Sequence, residues 1–364
     1  MGCKEVRRER LHLQRMSGYV PGAQAGHDTI KLNTNENPFP PSPAVMAALA
    51  EITPRALQRY PDPMANGFRD AVAQLHNLPR DQIIATNGGD ELLRLAVTTF
   101  VEPGRAIGVV TPGYGVYSVL AAIHRAPLSQ VHLDESWGLA LDTAVRWNAD
   151  GAQLALITNP HAPSGKLFAL PALEQLAISF QGVLLIDEAY VDFVDPDLNY
   201  DATSLLARHS NVLLLRTLSK GYALAGLRLA YGLGSEILIK PMLEKTRDSY
   251  NVDAIAQALG VRALQDRAYA AASWNHVRQE RKRLTLKMRA MGFMVEPSQT
   301  NFLLVSPPIN SEWDEAPKLQ NTLESRNIYL RWFNEERLRE QLRITIGTCE
   351  ENDTLIQTLH SLRR

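Results

Sequence analysis

The chain has 364 residues, a formal net charge of −1 and 45% hydrophobic residues, a composition typical of a globular protein with room for two domains. Its 38 lysine and arginine residues are balanced by 39 aspartate and glutamate residues, so no overall basic field can attract nucleic acid or an anionic membrane. Two cysteines, Cys3 and Cys349, are too few for a disulfide framework or a four-cysteine zinc site, and the histidines form no HExxH pair, so we expect no metal.

The first recognisable segment, KLNTNENPFPPSP at 31–43, is rich in proline and is predicted to be irregular, either as a simple linker or as an arm. After it, helical and strand patterns alternate along the chain. Helices are predicted at 43–52, 67–76, 90–100 and near 115–124, and apolar strands at 82–86, 106–112, 153–158, 182–187 and 211–217. Continuous apolar runs between helices favour an α/β fold with a parallel or mostly parallel sheet covered on both faces.

The pattern changes at about residue 268 and predicts a smaller α+β unit. Its predicted elements are a long charged helix to about 291, strands at 302–305 and 342–347, and helices near 314–325 and from about 351. We therefore predict an amino-terminal arm at 1–42, a large domain at 43–270 and a small domain at 271–364. The arm is expected to fold against the small domain or a partner subunit.

Polar residues follow the predicted strands at the points where these strands end. They are Asn87-Gly88-Gly89-Asp90-Glu91, Asn159-Pro160-His161, Asp187-Glu188-Ala189-Tyr190 and Thr217-Leu218-Ser219-Lys220. In doubly wound folds, ligands bind at the carboxyl ends of the strands, so these residues are predicted to form one site. Each piece alone has a plain structural explanation as a turn, a helix cap or a solvated lysine, and only the ordered set favours a site.

The segment SKGYALAGLR at 219–228 resembles the lysine signature of class I and II aminotransferases, the fold-type I enzymes of pyridoxal 5′-phosphate. In that family the lysine forms a Schiff base with the cofactor, and an arginine eight positions later binds the cofactor phosphate. Lys220 and Arg228 have this spacing, and Asn159, Asp187 and Tyr190 match other cofactor contacts in order. The resemblance implies a large seven-stranded, mostly parallel sheet between helices, a smaller α+β domain, and Lys220, Asp187 and Tyr190 as catalytic residues.

Elementary chemistry supports these assignments. A Schiff-base lysine needs a neutral amine, which burial and nearby cations favour, and a buried carboxylate such as Asp187 can hold a proton on the cofactor ring nitrogen. Tyr190 and Asn159 can hydrogen-bond the ring oxygen. A phosphate dianion is well suited to backbone N–H groups at a helix start. The predicted phosphate and ring contacts are Gly88, Gly89, Asp90, Tyr114, Thr217, Ser219 and Arg228.

Within this class the chain most resembles the histidinol-phosphate aminotransferase family. The matching stretches are the arm at 31–43, SGYVPG at 17–22, RYPDP at 59–63, YLRWF at 329–333 and LRITIGTCEEN at 342–352. The resemblance implies that Tyr60 reaches the cofactor phosphate of the other subunit in a homodimer. It also implies substrate contacts by Tyr19, Asn159, Arg331 and Arg343, because planar guanidinium groups can bind either a phosphate ester or a carboxylate.

The implied reaction transfers an amino group between histidinol phosphate and 2-oxoglutarate, with glutamate as the partner product. Alternatives on the same fold are an aromatic amino-acid aminotransferase and a threonine-phosphate decarboxylase, and an alternative of another class is a non-catalytic protein that binds the cofactor. The sequence departs from the family at His161 and Ala162, at Gly89, and in the Gly-Tyr-Ala-Leu that follows Lys220, and these changes leave the side-chain preference open.

No apolar run approaches the roughly 18 residues that a membrane helix needs. The charged amino terminus lacks the apolar stretch of a secretory signal. The expected location is therefore the cytoplasm.

Overall fold

The structure is a computed structural model and describes residues 8–24, 26, 29–308 and 315–362. The described residues do not include residues 1–7 of the charged amino terminus, and so not Cys3. They also do not include residue 314, the start of the helix predicted near 314–325. None of the described helices combines the length and the apolar composition needed to cross a membrane.

The helices cover the faces of a large sheet and of a smaller one. They are α1 (Pro43–Ala50), α2 (Pro54–Gln58), α3 (Asn66–His76), α4 (Gly89–Phe100), α5 (Val116–His124), α6 (Thr143–Ala149), α7 (Leu170–Ser179), α8 (Thr203–Leu206), α9 (Glu236–Pro241), α10 (Ala254–Gln265), α11 (Arg267–Ala290), α12 (Ala316–Glu324) and α13 (Cys349–Ser361).

The strands form three sheets. They are β1 (Ile30–Lys31), β2 (Ile83–Thr86), β3 (Ala106–Thr111), β4 (Leu128–His132), β5 (Ala152–Thr158), β6 (Val183–Asp187), β7 (Val212–Thr217), β8 (Ala230–Gly234), β9 (Met294–Val295), β10 (Phe302–Ser306), β11 (Ile328–Tyr329), β12 (Arg331–Trp332) and β13 (Leu342–Thr345).

The central sheet has seven strands in the order β2-β8-β7-β6-β5-β3-β4. Its pairs are parallel except those of β8, which runs antiparallel to both β2 and β7. The predicted α/β fold with a mostly parallel sheet is confirmed. The sequence reading missed β4 and β8, because β8 contains two glycines and β4 mixes polar and apolar residues, so neither has a continuous apolar run.

Apolar side chains fill both faces of this sheet. On one face, Leu184 and Ile186 of β6 belong to a core that also contains Phe68 of α3. On the other face, Leu185 of β6 packs in a core with Leu92 of α4. Successive strand residues point to opposite faces, so a strand buried on both sides must be apolar at consecutive positions. This explains the continuous apolar runs from which the strands were predicted.

The topology brings the carboxyl ends of several strands to one edge of the sheet. Strands β5, β6 and β7 are parallel neighbours, and Thr158 at the end of β5 lies opposite Asp187 at the end of β6. Because β8 runs antiparallel to both β2 and β7, strand β2 has the same direction as β7. The connections that follow β2, β5, β6 and β7 therefore meet at this edge.

A second, antiparallel sheet has the order β12-β13-β10-β9 and lies in the carboxyl-terminal part of the chain. The amino-terminal arm joins this part, since β1 pairs in parallel with β11, and the Thr345 N–H donates to the Leu32 carbonyl at 2.9 Å. The 31–43 segment is thus tied down and is not a free linker. Helix α11 runs through the domain boundary predicted near residue 270, and the division of the chain into domains stays a prediction.

Candidate active site

A cavity of about 560 Å³ opens at the carboxyl edge of the central sheet and is bordered by the arm and the second sheet. Most residues predicted to act in the site line it, although they come from distant parts of the chain. These residues are Tyr19, Gly89, Asp90, Tyr114, Asp187, Tyr190, Thr217, Ser219, Lys220, Arg228, Arg331 and Arg343.

Lys220 lies in the connection between β7 and β8, with its amine inside the cavity. Its Nζ donates a hydrogen bond to the Thr34 carbonyl of the arm at 2.9 Å. Burial, together with the positive charge of Arg343, lowers the pKa of Lys220 to about 8. With this pKa, roughly a tenth to a quarter of the amine is neutral at pH 7 to 7.5, far more than for a lysine in water, which favours a nucleophilic role.

Asp187, the last residue of β6, is a buried carboxylate at the floor of the cavity. Its Oδ2 accepts a hydrogen bond from the Tyr117 hydroxyl at 3.1 Å, and its Oδ1 accepts one from the Ala189 N–H at 3.1 Å. Burial raises the pKa of Asp187 to about 6. Such a carboxylate is stabilised in its charged form by a cationic ligand group placed against it.

An anion cradle lies at the amino-terminal end of α4. Gly88 has a φ of +76°, and a Cβ atom there would come within 2.7 Å of Nη2 of Arg228. The Arg228 guanidinium therefore lies directly beside the first helical N–H groups, with Nη2 3.5 Å from a carboxylate oxygen of Asp90. Backbone N–H groups, a helix dipole and a guanidinium together favour a phosphate dianion. Asp90 can donate to a phosphate only through its backbone N–H.

Thr217 and Ser219 border the same end of the cavity and bond to each other. The Thr217 hydroxyl donates to the Ser219 hydroxyl oxygen at 2.9 Å, and it accepts from the Ser219 N–H at 3.1 Å. This turn holds the chain just before Lys220. The Ser219 hydroxyl keeps its own proton for a ligand in the cavity.

Two arginines lie side by side at the other end of the cavity, because Arg331 of β12 pairs directly with Arg343 of β13. Like charges opposite each other in a sheet are destabilising without an anion between them. The Arg343 side chain is half-buried, lies against Phe302 and Phe333, and donates from Nη2 to the Asn33 carbonyl at 3.0 Å. Its Nε is buried without a hydrogen-bond partner among the described residues.

Arg331 donates hydrogen bonds to the Val20 carbonyl at 3.0 Å and to the Pro21 carbonyl at 3.3 Å. It therefore holds the segment that carries Tyr19. The Tyr19 ring packs edge-on against Tyr114, with their centroids 5.8 Å apart. Tyr190 completes this wall, and its hydroxyl accepts a hydrogen bond from Nδ2 of Asn35 at 3.0 Å.

Known proteins resemble this chain over almost all of its length. The family profile of aminotransferase class I and II matches residues 27–359. The histidinol-phosphate aminotransferase 1 of Trichormus variabilis is 40% identical over 357 residues, which cover 98% of this chain and 99% of that relative. The histidinol-phosphate aminotransferase of Geobacter sulfurreducens is 38% identical, with 97% and 99% coverage.

This chain belongs to the class I and II aminotransferase family.

The fold agrees with that of a solved aminotransferase. The crystal structure of histidinol-phosphate aminotransferase from Sinorhizobium meliloti in complex with pyridoxal 5′-phosphate superposes with a TM-score of 0.90 at 24% identity, and the match covers 100% of this chain and 99% of that one. The family and fold predicted from the lysine segment are confirmed.

Three predicted residues of this aminotransferase lie outside the lining of the cavity. Gly88 sits behind the Arg228 guanidinium. Asn159 is fully buried, and its amide bonds the Phe168 backbone and the Tyr200 hydroxyl. Tyr60 is 81% exposed and stacks on Tyr250 at 4.4 Å, away from the cavity of its own chain. Their contacts with a cofactor stay predictions.

The altered loop after Asn159 only partly borders the substrate side. Ala162 lines the cavity of the aminotransferase, whereas the His161 ring is buried between the Ser164 hydroxyl at 2.8 Å and the Pro112 carbonyl at 3.0 Å. Burial lowers the pKa of His161 to about 4, which keeps the ring neutral. Of the two altered residues, Ala162 therefore borders the substrate side, whereas the contacts of His161 hold two loops together.

Sequence reasoning missed Tyr117 and Thr158, which support Asp187 from below, and the asparagines of the arm. The Tyr117 hydroxyl lies 2.8 Å from the Thr158 hydroxyl.

The arm contributes Asn37, which donates to the carbonyls of Lys220 and Gly221 at 3.1 and 3.2 Å. A signal existed for Thr158, which ends a predicted strand as Asp187 does. The asparagines gave none, since their partners lie far away in the sequence.

The raised pKa of Asp187 predicts a stability effect in the aminotransferase without cofactor. The protonated carboxyl stabilises the fold, and this contribution is lost as pH rises through the folded pKa of about 6. An asparagine at this position does not titrate, so Asp187→Asn lacks this loss of folding free energy. The stability of the variant relative to wild type should therefore increase by about 1 kcal/mol between pH 5 and pH 8.

Urea unfolding of both proteins at the two pH values measures this difference. Asp81→Asn, at an exposed position, is the control and should show no such increase. A variant whose relative stability falls or stays constant over this range would contradict the assigned state of Asp187.

Proposed function

We propose that this aminotransferase uses pyridoxal 5′-phosphate to transfer an amino group between histidinol phosphate and 2-oxoglutarate. In the biosynthetic direction, imidazole acetol phosphate and L-glutamate would give L-histidinol phosphate and 2-oxoglutarate. The observation that carries the choice of substrate is the directly opposed pair Arg331 and Arg343, next to Tyr19. The named activities of the relatives agree with this choice.

Three features of the cavity fit the cofactor. The cradle of Gly88, Gly89 and Arg228 has the charge and the open space that a phosphate needs. The buried Lys220 amine has a lowered pKa, which favours attack on an aldehyde. The buried Asp187 carboxylate would be stabilised by a protonated ring nitrogen. The three groups therefore correspond to the three reactive parts of pyridoxal phosphate.

When bound, pyridoxal phosphate supplies an electron sink for removal of the proton from the carbon that bears the amine. Lys220 would take that proton and return it as a general base and acid, which requires its pKa to lie near the operating pH. Asp187 would hold the proton at the ring nitrogen, with Tyr117 fixing the carboxylate. Tyr190, held by Asn35, would place a hydroxyl beside the ring oxygen.

The opposed arginines explain how one site can take two different substrates in turn. Histidinol phosphate carries a phosphate ester where an amino acid carries its α-carboxylate, whereas glutamate carries carboxylates. A phosphate has three acceptor oxygens and nearly two charges, enough for Arg331, Arg343 and Tyr19 together. A carboxylate has two oxygens and one charge, which Arg343 alone can bind.

Two other activities on this fold make different demands. An aromatic amino acid carries one carboxylate and no phosphate, so its half-reaction would depend on Arg343 and little on Arg331. A threonine-phosphate decarboxylase would release carbon dioxide. A non-catalytic protein that binds the cofactor would have no need for a buried lysine with a lowered pKa.

The cradle predicts that Gly88→Ala weakens cofactor binding. The new methyl group would lie 2.7 Å from Nη2 of Arg228 and displace the guanidinium, at a cost of about 1.5–3 kcal/mol, or roughly 10- to 100-fold in Kd for pyridoxal phosphate. The matched control is Gly104→Ala, which has a similar φ of +82° and meets nothing within 4 Å. Equal losses of affinity for pyridoxal phosphate in both variants would mean that backbone strain, and not the displaced Arg228 guanidinium, causes the effect.

The opposed arginines predict a difference between the two half-reactions. Arg331→Ala should lower kcat/KM for both substrates, and the loss in transition-state stabilisation should be about 1–3 kcal/mol larger for histidinol phosphate than for glutamate. The reason is that only the phosphate needs both guanidinium groups. Arg343→Ala should impair both half-reactions. Single-turnover measurements of the cofactor absorbance with histidinol phosphate, glutamate and phenylalanine, plus an assay for carbon dioxide, test this.

Equal losses for Arg331→Ala in both halves, or a wild-type enzyme that prefers phenylalanine, would favour the aromatic aminotransferase. Release of carbon dioxide would favour the decarboxylase. Failure of every amino donor with cofactor bound would leave the non-catalytic alternative.

We also propose that the enzyme acts as a homodimer in the cytoplasm. Tyr60 is exposed and stacks on the half-exposed Tyr250, so the two rings present an aromatic surface rather than a contact with their own site. In the family pattern, the matching tyrosine reaches the cofactor phosphate of the neighbouring subunit. A partner chain placed against this surface would both cover the rings and complete the cradle.

Subunit mixing tests the exchanged tyrosine. Tyr60→Phe should weaken cofactor binding, and Lys220→Ala should abolish turnover. Mixing the two variants creates heterodimers with one intact site and one site that lacks both groups. Activity at limiting cofactor should then exceed that of either parent, while activity equal to the better parent would place Tyr60 in the site of its own subunit.

A further inference from the structure

A cluster of metal-ligating side chains lies outside the lining of the active-site cavity. His276 and Glu280 are one turn apart on α11, so they share a face of that helix, and Cys349 is the first residue of α13. Cys349 and His276 are 73 residues apart in the sequence, which is why spacing motifs did not reveal them. The three residues belong to the carboxyl-terminal part of the chain, where α11 meets α13.

The donor atoms are already near a coordination geometry. One ligand atom from each of the three residues lies within 4.8 Å of the other two. The Cys349 Sγ and the His276 Nε2 are 3.9 Å apart. A tetrahedral zinc ion with usual bond lengths would place its sulfur and nitrogen ligands about 3.6 Å apart. The sulfur and the nitrogen are thus within a few tenths of an ångström of the zinc separation, and the Glu280 carboxylate, within 4.8 Å of both, would move closer on binding.

We propose that Cys349, His276 and Glu280 bind a Zn²⁺ ion at the junction of α11 and α13, with solvent in the fourth position. The set combines a thiolate, an imidazole and a carboxylate, which suits Zn²⁺ better than the hard cations Mg²⁺ and Ca²⁺. His276 and Cys349 are partly exposed, so the ion has access from solvent. Binding exchanges the thiol proton for the metal, and the proton goes to water.

Neighbouring groups fix two of the three ligands before any ion arrives. The Glu280 carboxylate accepts from Nε and Nη2 of Arg283 at 2.9 and 2.8 Å, and from Nδ2 of Asn352 at 2.9 Å. The ring of Phe39 meets the His276 ring edge-on, with centroids 4.8 Å apart. Groups of this kind orient ligands in protein metal sites and lower the entropic cost of binding.

The charges around the cluster also favour a cation. Arg283 is shared between Glu280 and Asp353, whose Oδ1 lies 2.5 Å from Nη1 of the guanidinium. One positive charge therefore faces two negative ones. Glu350, next to Cys349 in the chain, is exposed and adds a third negative charge nearby. The surplus of negative charge attracts a divalent ion and is reduced when the ion binds.

An ion in this position would join two helices that are otherwise held by side-chain contacts. A ligand that binds only the folded state stabilises it by RT ln(1 + [L]/Kd), so the stabilisation grows with the logarithm of the ligand concentration. Zn²⁺ should therefore raise the thermal midpoint of the intact enzyme. This effect does not depend on the substrate, because the cluster contributes no residue to the lining of the active-site cavity.

Titration of the intact, cofactor-loaded enzyme with Zn²⁺ tests the proposal, with Mg²⁺ as the hard-metal comparison. Isothermal titration should give one Zn²⁺ per chain, and Cys349→Ser and His276→Gln should each weaken binding at least about ten-fold. Co²⁺ should give the visible d–d bands of a tetrahedral thiolate complex, at wavelengths longer than the absorbance of the cofactor.

Matched controls separate this cluster from other ligands of the chain. Cys3→Ser replaces the other cysteine, and His360→Gln replaces an exposed histidine on α13, so both should bind Zn²⁺ like wild type. The proposal is overturned if Zn²⁺ does not bind, if Cys349→Ser and His276→Gln bind as tightly as wild type, or if Co²⁺ shows only an octahedral spectrum.

Discussion

Four cationic side chains face one cavity, and the fold must hold them there against their mutual repulsion. Lys220 and Arg228 come from the connection between β7 and β8 of the central sheet, and Arg331 and Arg343 from the second sheet. Backbone carbonyls of the amino-terminal segment accept from three of these four groups, namely Thr34 O from Lys220, Asn33 O from Arg343, and Val20 O and Pro21 O from Arg331. Neutral acceptors stabilise the cations without cancelling their charge, so an anionic ligand still gains from entering.

The arm therefore determines the site as much as the sheets do. Its asparagines bond to groups on both sides of the cavity, since Asn37 holds the Lys220 loop and Asn35 holds Tyr190 and Thr345. Asparagine suits this place because it donates and accepts and tolerates a left-handed backbone, as Asn35 shows with a φ of 55°. A proline-rich segment of this kind has a restricted backbone, which lowers the entropic cost of fixing it.

Much of this architecture can be predicted from residues in order along the chain. Apolar runs located β2, β3, β5, β6 and β7, and the polar residues after them located Asp187 and Lys220, because strand and loop signals are local. The pairing of Arg331 with Arg343 and the support of Asp187 by Tyr117 could not be derived this way, since both depend on the tertiary arrangement. The side-chain contacts of Asn159 with Phe168 and Tyr200 also depend on the tertiary arrangement, and its predicted contact with the cofactor stays a prediction.

The hairpin of β7 and β8 has a mechanical consequence. Lys220 and Arg228 both lie in the connection between these antiparallel neighbours, and that connection is closed at its base by a hydrogen bond from the Leu218 N–H to the Leu229 carbonyl. The amine and the phosphate-side guanidinium are therefore carried by the same closed connection of the central sheet. Arg331 and Arg343 belong to another sheet, so a change in the angle between the two sheets would lengthen or shorten the span between the two anion sites. Anionic substrates of different length would then reach the same Lys220 amine while their anionic ends bind Arg331 and Arg343.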